Sequence, residues 1–291
     1  MEQHIVLLPT YNEALNLPGL VEAILRASDA AVLVIDDNSP DGTGAQADAL
    51  HAVHPTRVWV LHRPAKEGLG RAYADGYAWA LAAGYDVVLQ MDADFSHDPA
   101  DLPRLAAAVD AGADVAIGSR YVRGGQTPGW PWRRRLLSWA GSHYAAAVLG
   151  LPVRDVTGGF KAFSRQALHV LARQELQAAG FAVQIETTYL AHEHGLALRE
   201  VPIVFRDRRA GASKMSGQIV LEAVQLPWRL RTARVARHRL PPRAATDGAG
   251  GRQLRYAEAV VPWPQGRGTR GVPLDRHAAP SSYAPAQDDR A

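Results

Sequence analysis

The chain has no cysteine among its 291 residues, which excludes disulfides and thiolate metal sites within it. Long apolar runs are missing too. Stretches such as Ala30–Ile35 and Tyr144–Leu149 fall far short of the ~20 apolar residues that cross a bilayer. No leader precedes the first apolar stretch at His4–Leu8, so a cytoplasmic chain without a signal peptide is expected. Neither G-x-G-x-x-G after the first strand nor G-x-x-x-x-G-K-[ST] occurs, which argues against a nicotinamide dehydrogenase and a P-loop phosphotransferase. Net charge is only +3, yet it is unevenly spread. Arg229, Arg231, Arg234, Arg237, Arg239 and Arg243 follow one another with no acid between them. What is present is apolar material: at 47% hydrophobic, the chain can bury a full core in one large α/β domain or two small ones.

Ile5–Leu8 reads as a strand, and Leu17, Leu20, Val21 and Ile24 keep the i, i+3, i+4, i+7 spacing of an amphipathic helix. Further strands are expected at Ala31–Ile35, Val58–Leu61, Val87–Met91 and Asp114–Ile117, with helices over Leu69–Ala83 and Leu102–Val109. This alternation predicts right-handed crossovers and a mostly parallel sheet with helices on both faces. After Arg120 the rhythm breaks. A Gly-, Pro- and Trp-rich loop at Gly124–Pro131 precedes a helix over Arg134–Leu149, a strand at Gly159–Phe163, a helix over Val183–His194 and a strand at Leu198–Phe205. Arg206–Gly217 reads as a mobile basic loop. Residues 1–239 are expected to form the catalytic domain, with a basic, membrane-proximal helix at 216–239 and a disordered tail at 240–291. Within that helix Leu221, Val224, Trp228 and Val235 share a face, although an ordinary core-packed helix interrupted by Pro227 fits as well.

Polar residues gather where strands end. Asp92 and Asp94 follow Val87–Met91 at the C-terminal edge, where open α/β sheets bind ligands. Two acids one residue apart call for a compensating cation, and Mg²⁺ or Mn²⁺ with shared substrate phosphates is the simplest. A plain polar turn in which Asp94 or Ser96 caps the next helix is the other reading. Leu8-Pro9-Thr10-Tyr11-Asn12-Glu13 closes the first strand and suits a flat ring stacked on Tyr11, with Glu13 accepting from ring or ribose donors; Asn12 also reads as an N-cap. Asp36-Asp37-Asn38-Ser39-Pro40-Asp41-Gly42 closes the second and places acids where a ribose hydroxyl or ring N–H binds.

These three signatures, in order, resemble the inverting GT-A glycosyltransferases of family 2. Gly68-Leu69-Gly70, Gly118-Ser119-Arg120-Tyr121, Thr157-Gly158-Gly159-Phe160-Lys161, Arg206-Asp207-Arg208 and Lys214 narrow the resemblance to dolichyl- or polyprenyl-phosphate mannose synthases over roughly residues 4–230. The resemblance implies a GT-A nucleotide-diphospho-sugar transferase fold. It implies that Pro9, Tyr11, Glu13, Ile35 and Asp37 hold the nucleotide, that Asp92 and Asp94 ligate Mg²⁺ or Mn²⁺, and that the Ala93 backbone lies near the nucleotide. Arg120 matches the family's phosphate-binding arginine, and Arg208 and Lys214 match basic residues of its mobile loop. Arg134, within Trp132-Arg133-Arg134-Arg135, is the further phosphate ligand favoured over its neighbours. Some relatives place glutamine two residues after the second metal aspartate; Ser96 stands here, leaving water or His97 to complete the shell. The implied reaction moves mannose from GDP-mannose to a polyprenyl monophosphate with inversion, peripherally at the inner membrane face. A membrane-protein partner is compatible with it, and no nucleic acid is expected. A UDP-sugar donor is the nearest rival, and a non-catalytic nucleotide-sugar-binding regulatory subunit the rival of another class. Trp130 and Trp132 are suited to line an acceptor groove or to anchor their loop, and His192-Glu193-His194 reads as polar side chains facing solvent at a helix end.

Overall fold

The computed structural model of the chain describes residues 3–174, 176, 178, 180–207 and 224–232. Seven strands form one sheet: β1 (His4–Thr10), β2 (Ala31–Asp36), β3 (Val58–His62), β4 (Val87–Gln90), β5 (Val115–Ser119), β6 (Lys161–Ser164) and β7 (Leu198–Pro202). Their order is β3-β2-β1-β4-β6-β5-β7. β1, β2, β3 and β4 pair in parallel, as do β5 and β7, while β6 runs antiparallel to both β4 and β5. The mostly parallel sheet expected from the alternation is therefore observed, with one reversed strand inside it.

The helices are α1 (Leu17–Ala27), α2 (Thr43–Val53), α3 (Leu69–Ala82), α4 (Leu102–Asp110), α5 (Trp132–Leu149), α6 (Arg165–Leu171) and α7 (Val183–Glu193). Strands covered on both faces should be apolar throughout. β2 and β4 are buried at every position. Alternate residues of β1 divide between two cores. Ile5 and Leu7 join α3, α5, α6 and α7 residues such as Tyr77, Ala145, Leu168 and Val183. Val6 and Leu8 join Leu20 and Ile24 of α1 and Leu105 of α4. The two layers of helices thus sandwich the sheet.

Four details depart from the sequence expectations. α2 and α6 were not marked by any apolar stripe. α5 begins two residues early, at Trp132. The strand after Gly195 ends at Pro202 on β5; beyond it, Val204 bridges Gln126. A helical segment at 224–232 runs through Pro227, burying Leu226 and Leu230 and exposing Val224 and Trp228. Leu221, Val235 and the tail after 240 lie outside the described residues.

Because β6 is antiparallel, its N-terminal end shares an edge with the C-terminal ends of β1, β2, β4 and β5. The motifs that close β1, β2, β4 and β5, together with Thr157–Lys161, reach this one edge.

Candidate active site

Asn12, Asn38 and Phe95 are the three non-glycine residues with positive φ among the described residues, at +59°, +56° and +62°. Each sits in a different strand-end loop, after β1, β2 and β4. Backbone held in this region is costly for a side chain as bulky as phenylalanine and tends to mark functional loops. The first two loops are laced together: Asn12 N donates to Ser39 Oγ (3.0 Å), Glu13 N to Thr43 Oγ1 (3.0 Å) and Ala14 N to Asp41 Oδ2 (3.1 Å). The N-cap of α1 is Asn16, so Asn12 does not play the capping part expected of it.

The residues assigned to the nucleotide are brought together with different freedoms. Pro9 pairs with Ile35 in the sheet register. Tyr11 is half-buried and carries the Lys66 ammonium 3.9 Å above its ring, so one face is already covered. The Ile35 side chain is fully buried in the core, and its carbonyl accepts from Thr10 Oγ1 at 3.3 Å. Only the main chain of Ile35 is placed toward the edge. Asp37 is buried against Arg63, which also pairs with Asp75 (2.8 Å) and Glu67 (3.1 Å). Burial raises the Asp37 carboxyl above its usual range, with Arg63 working against that shift. Sequence reasoning missed Arg63; its partner Asp37 lies 26 residues away.

Beyond β4, Met91 N still donates to Leu7 O (3.2 Å) before the chain turns and leaves Asp92 and Asp94 half-buried. Asp94 Oδ1 accepts from Ser96 N at 3.0 Å, so a polar turn forms, but neither Asp94 nor Ser96 caps the next helix: Asp98 caps the short turn that leads into α4, and Asp101 stands at the N-cap of α4 itself. An ionised carboxylate has about four lone-pair positions, and the turn does not preclude a cation. Ala93 is buried between the two acids. Gly159 faces them: a Cβ there would stand 3.4 Å from Asp92 Oδ2 and 3.5 Å from Oδ1. A side chain at this position would crowd the Asp92 carboxylate. Among the described residues no group of three His, Asp or Glu side chains gathers to hold a cation unaided. Two hard carboxylate donors fit Mg²⁺ or Mn²⁺ that takes its other ligands from a diphosphate and water. His97 is buried, stacked on Phe160 at 4.8 Å, and its Nδ1 accepts from Asp92 N at 3.4 Å. Burial pushes its pKa down to about 4, so it serves as a neutral prop for the turn.

The cationic side of the site begins at the end of β5. Arg120 donates from N (2.9 Å) and Nε (2.8 Å) to Asp155 Oδ2, and from one terminal nitrogen to Asp155 Oδ1 (2.7 Å) and Thr157 Oγ1 (2.8 Å). Burial opposes the charge, but Asp155 overcomes it and holds the Arg120 pKa above its ordinary value. The other terminal nitrogen has no hydrogen bond among the described residues. Arg120 and Arg134 share one aromatic surface, at 5.9 Å and 4.1 Å from the Trp130 ring. Arg134 also pairs with Asp207 at 2.6 Å. Arg133 instead lies over Trp132, so of these two arginines Arg134 is the one that shares the Trp130 ring with Arg120. Arg206 N donates to Ser96 O (3.0 Å), tying the start of the basic loop to the Asp94 turn. Arg208 and Lys214 lie outside the described residues. Asp155, fully buried, was also missed in the sequence; it stands 35 residues from Arg120.

Comparison with known proteins identifies the family and the fold. Residues 5–171 match the family described as Glycosyl transferase family 2. The chain is 47% identical over 224 residues to polyprenol monophosphomannose synthase of Mycolicibacterium smegmatis, spanning 77% of this chain and 84% of that protein. It is 46% identical over 223 residues to undecaprenyl-phosphate mannosyltransferase of Micrococcus luteus, spanning 76% and 90%. A crystal structure of glucosyl-3-phosphoglycerate synthase from Mycobacterium tuberculosis, in complex with Mn²⁺, UDP-glucose and phosphoglyceric acid, superposes with a TM-score of 0.60 at 20% identity, covering 90% of this chain and 87% of that one. The chain is a glycosyltransferase: it belongs to glycosyl transferase family 2 and has the GT-A fold.

Proposed function

We propose that the chain transfers mannose from GDP-mannose to a polyprenyl monophosphate, with inversion, at the cytoplasmic face of a membrane. The observation that carries this reading is the meeting of two opposed charge sets at one sheet edge, Asp92 with Asp94 and Arg120 with Arg134, in a chain nearly half identical to mannosyltransferases that act on such lipids. Asp92 and Asp94 would hold Mg²⁺ or Mn²⁺, which when bound offsets charge on the leaving diphosphate. Tyr11, Glu13 and Asp37 bound the space for the nucleoside. The Arg120 nitrogen that has no hydrogen bond among the described residues, with Arg134, is suited to the phosphate oxygens, and such fixed donors stabilise charge as it develops. Arg208 and Lys214 are assigned the same task from the family resemblance. An acceptor phosphate monoester has its second pKa near ~6 and arrives as an ionised nucleophile, so no side chain need act as base. Attack from the face opposite the diphosphate converts an α-linked donor into a β-linked product.

Membrane contact is part of the proposal. Among the described residues no helix is long and apolar enough to cross a membrane. The first half of α5 instead exposes Trp132, Leu136, Leu137 and Trp139, flanked by Arg133 and Arg135. Exposed tryptophan and leucine among arginines is the chemistry of an interfacial helix on anionic lipid.

The test is transfer of labelled sugar to a short polyprenyl phosphate with Mg²⁺ or Mn²⁺, comparing GDP-mannose with UDP-glucose. Mannosyl lipid from GDP-mannose alone is the expected result. Glucosyl lipid from UDP-glucose alone would overturn the donor assignment. Loss of transfer in Asp94→Ala, with folding intact, is expected as well; full activity in that variant would overturn the metal assignment.

A further inference from the structure

Behind Asp92 a buried chain of amides ends in a donor with nothing to donate to. Tyr77 Oη donates to Gln90 Oε1 at 2.6 Å, and Gln90 Nε2 donates to Gly159 O at 3.1 Å and to Gln184 Oε1 at 2.6 Å. Lys161 Nζ, fully buried, donates to Gln184 O at 2.6 Å and to the Thr188 and Thr187 hydroxyls at 2.8 Å and 3.3 Å. Gln184, in the first turn of α7, is thus pinned at its main chain by Lys161 and at its amide oxygen by Gln90. Fixing the oxygen of a planar amide fixes its nitrogen as well. That nitrogen is buried and finds no acceptor among the described residues.

Its direction is given by Gly159. The position a Cβ would take there lies 3.6 Å from Gln184 Nε2 and 3.4 Å from Asp92 Oδ2. Amide and carboxylate therefore converge on the same small space. A second orphan donor stands nearby. Tyr73 Oη, one helical turn before Tyr77 and stacked on it at 6.0 Å, is fully buried and also without an acceptor among the described residues. The Asp92 charge acts on this hydroxyl, and the Gln184 side chain lies close enough to weigh on it as a hydrogen-bond partner, although no bond of good geometry forms between them. Buried donors without acceptors are costly, and two of them beside one carboxylate call for a reason.

We propose that Gln184, with Tyr73, orients the Asp92 carboxylate toward the cation, while Gln90, Tyr77 and Lys161 hold Gln184 in place. Donors on the inner side of a ligating carboxylate fix its rotamer and leave its outer lone pairs for the metal; losing such a partner typically weakens metal binding ~10–100-fold. Both are positioning residues, since neither touches substrate. The inference rests on the metal reading of Asp92 proposed above. It also gives the Gly159 and Lys161 of the Thr157–Lys161 motif a part: one clears the space, the other pins the amide.

The experiment titrates Mn²⁺ into the full chain with GDP present, and with UDP in a parallel arm, reading free ion by electron paramagnetic resonance. The variants are Tyr73→Phe, Gln184→Met and Asp92→Asn, each with a metal-free melting curve. Affinity for Mn²⁺ is expected to fall about tenfold in Gln184→Met and several-fold in Tyr73→Phe. The Mn²⁺ dependence of sugar transfer should shift by the same factors, the deficit shrinking as Mn²⁺ is raised. Wild-type Mn²⁺ affinity in both variants, with only a lowered melting temperature, would make the network purely structural and overturn the proposal. Should Gln184→Met not fold, Tyr73→Phe decides alone, because it removes one hydroxyl from an intact ring. Mn²⁺ binding that is absent from the wild type, or that survives Asp92→Asn, overturns the metal reading itself and this inference with it.

Discussion

Arg120 directs three hydrogen bonds into Asp155, whose side chain is fully buried, so the arginine offered to a phosphate is already half-neutralised by its own protein. Removing one member of such a pair strands the other charge, at a typical cost of about 3–5 kcal/mol. Asp155→Ala is therefore expected to lower unfolding free energy by about that much in chemical denaturation, whereas a loss below about 1 kcal/mol would mean that water reaches the guanidinium. Lys161 presents the opposite case, a buried cation among neutral oxygens. Burial pushes its pKa from the ordinary 10.5 down to about 7. Between those two values the unfolded chain binds the proton that the folded chain releases, so stability should rise with pH across that window and lie at its lower level below it. The melting-temperature difference between wild type and Lys161→Met should grow in favour of the wild type from pH 7 to 9. A flat difference would show that the three oxygens around Nζ keep it an ammonium. At this scale the sequence was readable where chemistry is local. Asp92 and Asp94 declare themselves by following an apolar strand, and Arg120 by its motif. Arg63, Asp155 and Gln184 do not, because each matters through a partner brought to it only by the fold.

Elements were legible in proportion to their amphipathicity. α1 shows a clean stripe and was placed within a few residues. α2 buries only Thr43 and Ala47, so it has no apolar stripe to find and rests on its alanine-rich helix propensity. α6 is a single short run of seven residues closing onto β6. Strand direction is not written in periodicity at all. The reversal of β6 emerges only from its pairing with β4 and β5, yet it is what carries Gly159 to the acids. Helix approach is likewise hidden. Gly70, at the start of α3, lies so near the 178 backbone that a Cβ would stand 2.3 Å from Ala178 O. Gly70→Ala must push the two segments apart and is expected to cost about 1–3 kcal/mol. Gly141, exposed in α5 with nothing within 4 Å of its missing Cβ, is the control. Gly141→Ala should stabilise by about 0.5–1 kcal/mol through helix propensity alone. Thermal unfolding of the pair checks both, and equal shifts would show that α3 yields without strain.

The whole molecule is polarised by the same sheet edge. Acids gather around β1, β2 and β4, and arginines beyond β5, where α5 leads away from Trp130. The helical segment at 224–232 completes this side: Trp228 Nε1 donates to Tyr144 Oη (2.8 Å), Tyr144 Oη donates to Val224 O (2.9 Å), and Arg231 donates to Val148 O (2.6 Å). Two helices are thereby joined side to side, with Trp139 and Trp228 exposed on them. The sequence signalled the 224–232 face and its arginines, and it signalled α5 as a helix without its outward stripe: Trp132, Leu136 and Trp139 fall at i, i+4 and i+7 on a helix that buries a different side. An apolar stripe ordinarily reads as core; here it faces out. If this surface meets lipid, two forces should be separable. Arginine attraction to anionic headgroups weakens as salt rises, while burial of apolar side chains does not. Co-sedimentation with phosphatidylglycerol vesicles is expected to exceed that with phosphatidylcholine and to decline between low and high salt. Burying one leucine is worth about 1.5–3 kcal/mol, so the variant Leu136→Ser, Leu137→Ser, Trp139→Ser should lose at least about tenfold in vesicle affinity at either salt. Transfer to a long acceptor embedded in vesicles should fall further in that variant than transfer to a short acceptor in solution. Equal losses on both acceptors would mean that the stripe serves the folded core or the catalytic edge, and unchanged vesicle binding would move the membrane contact elsewhere on the chain.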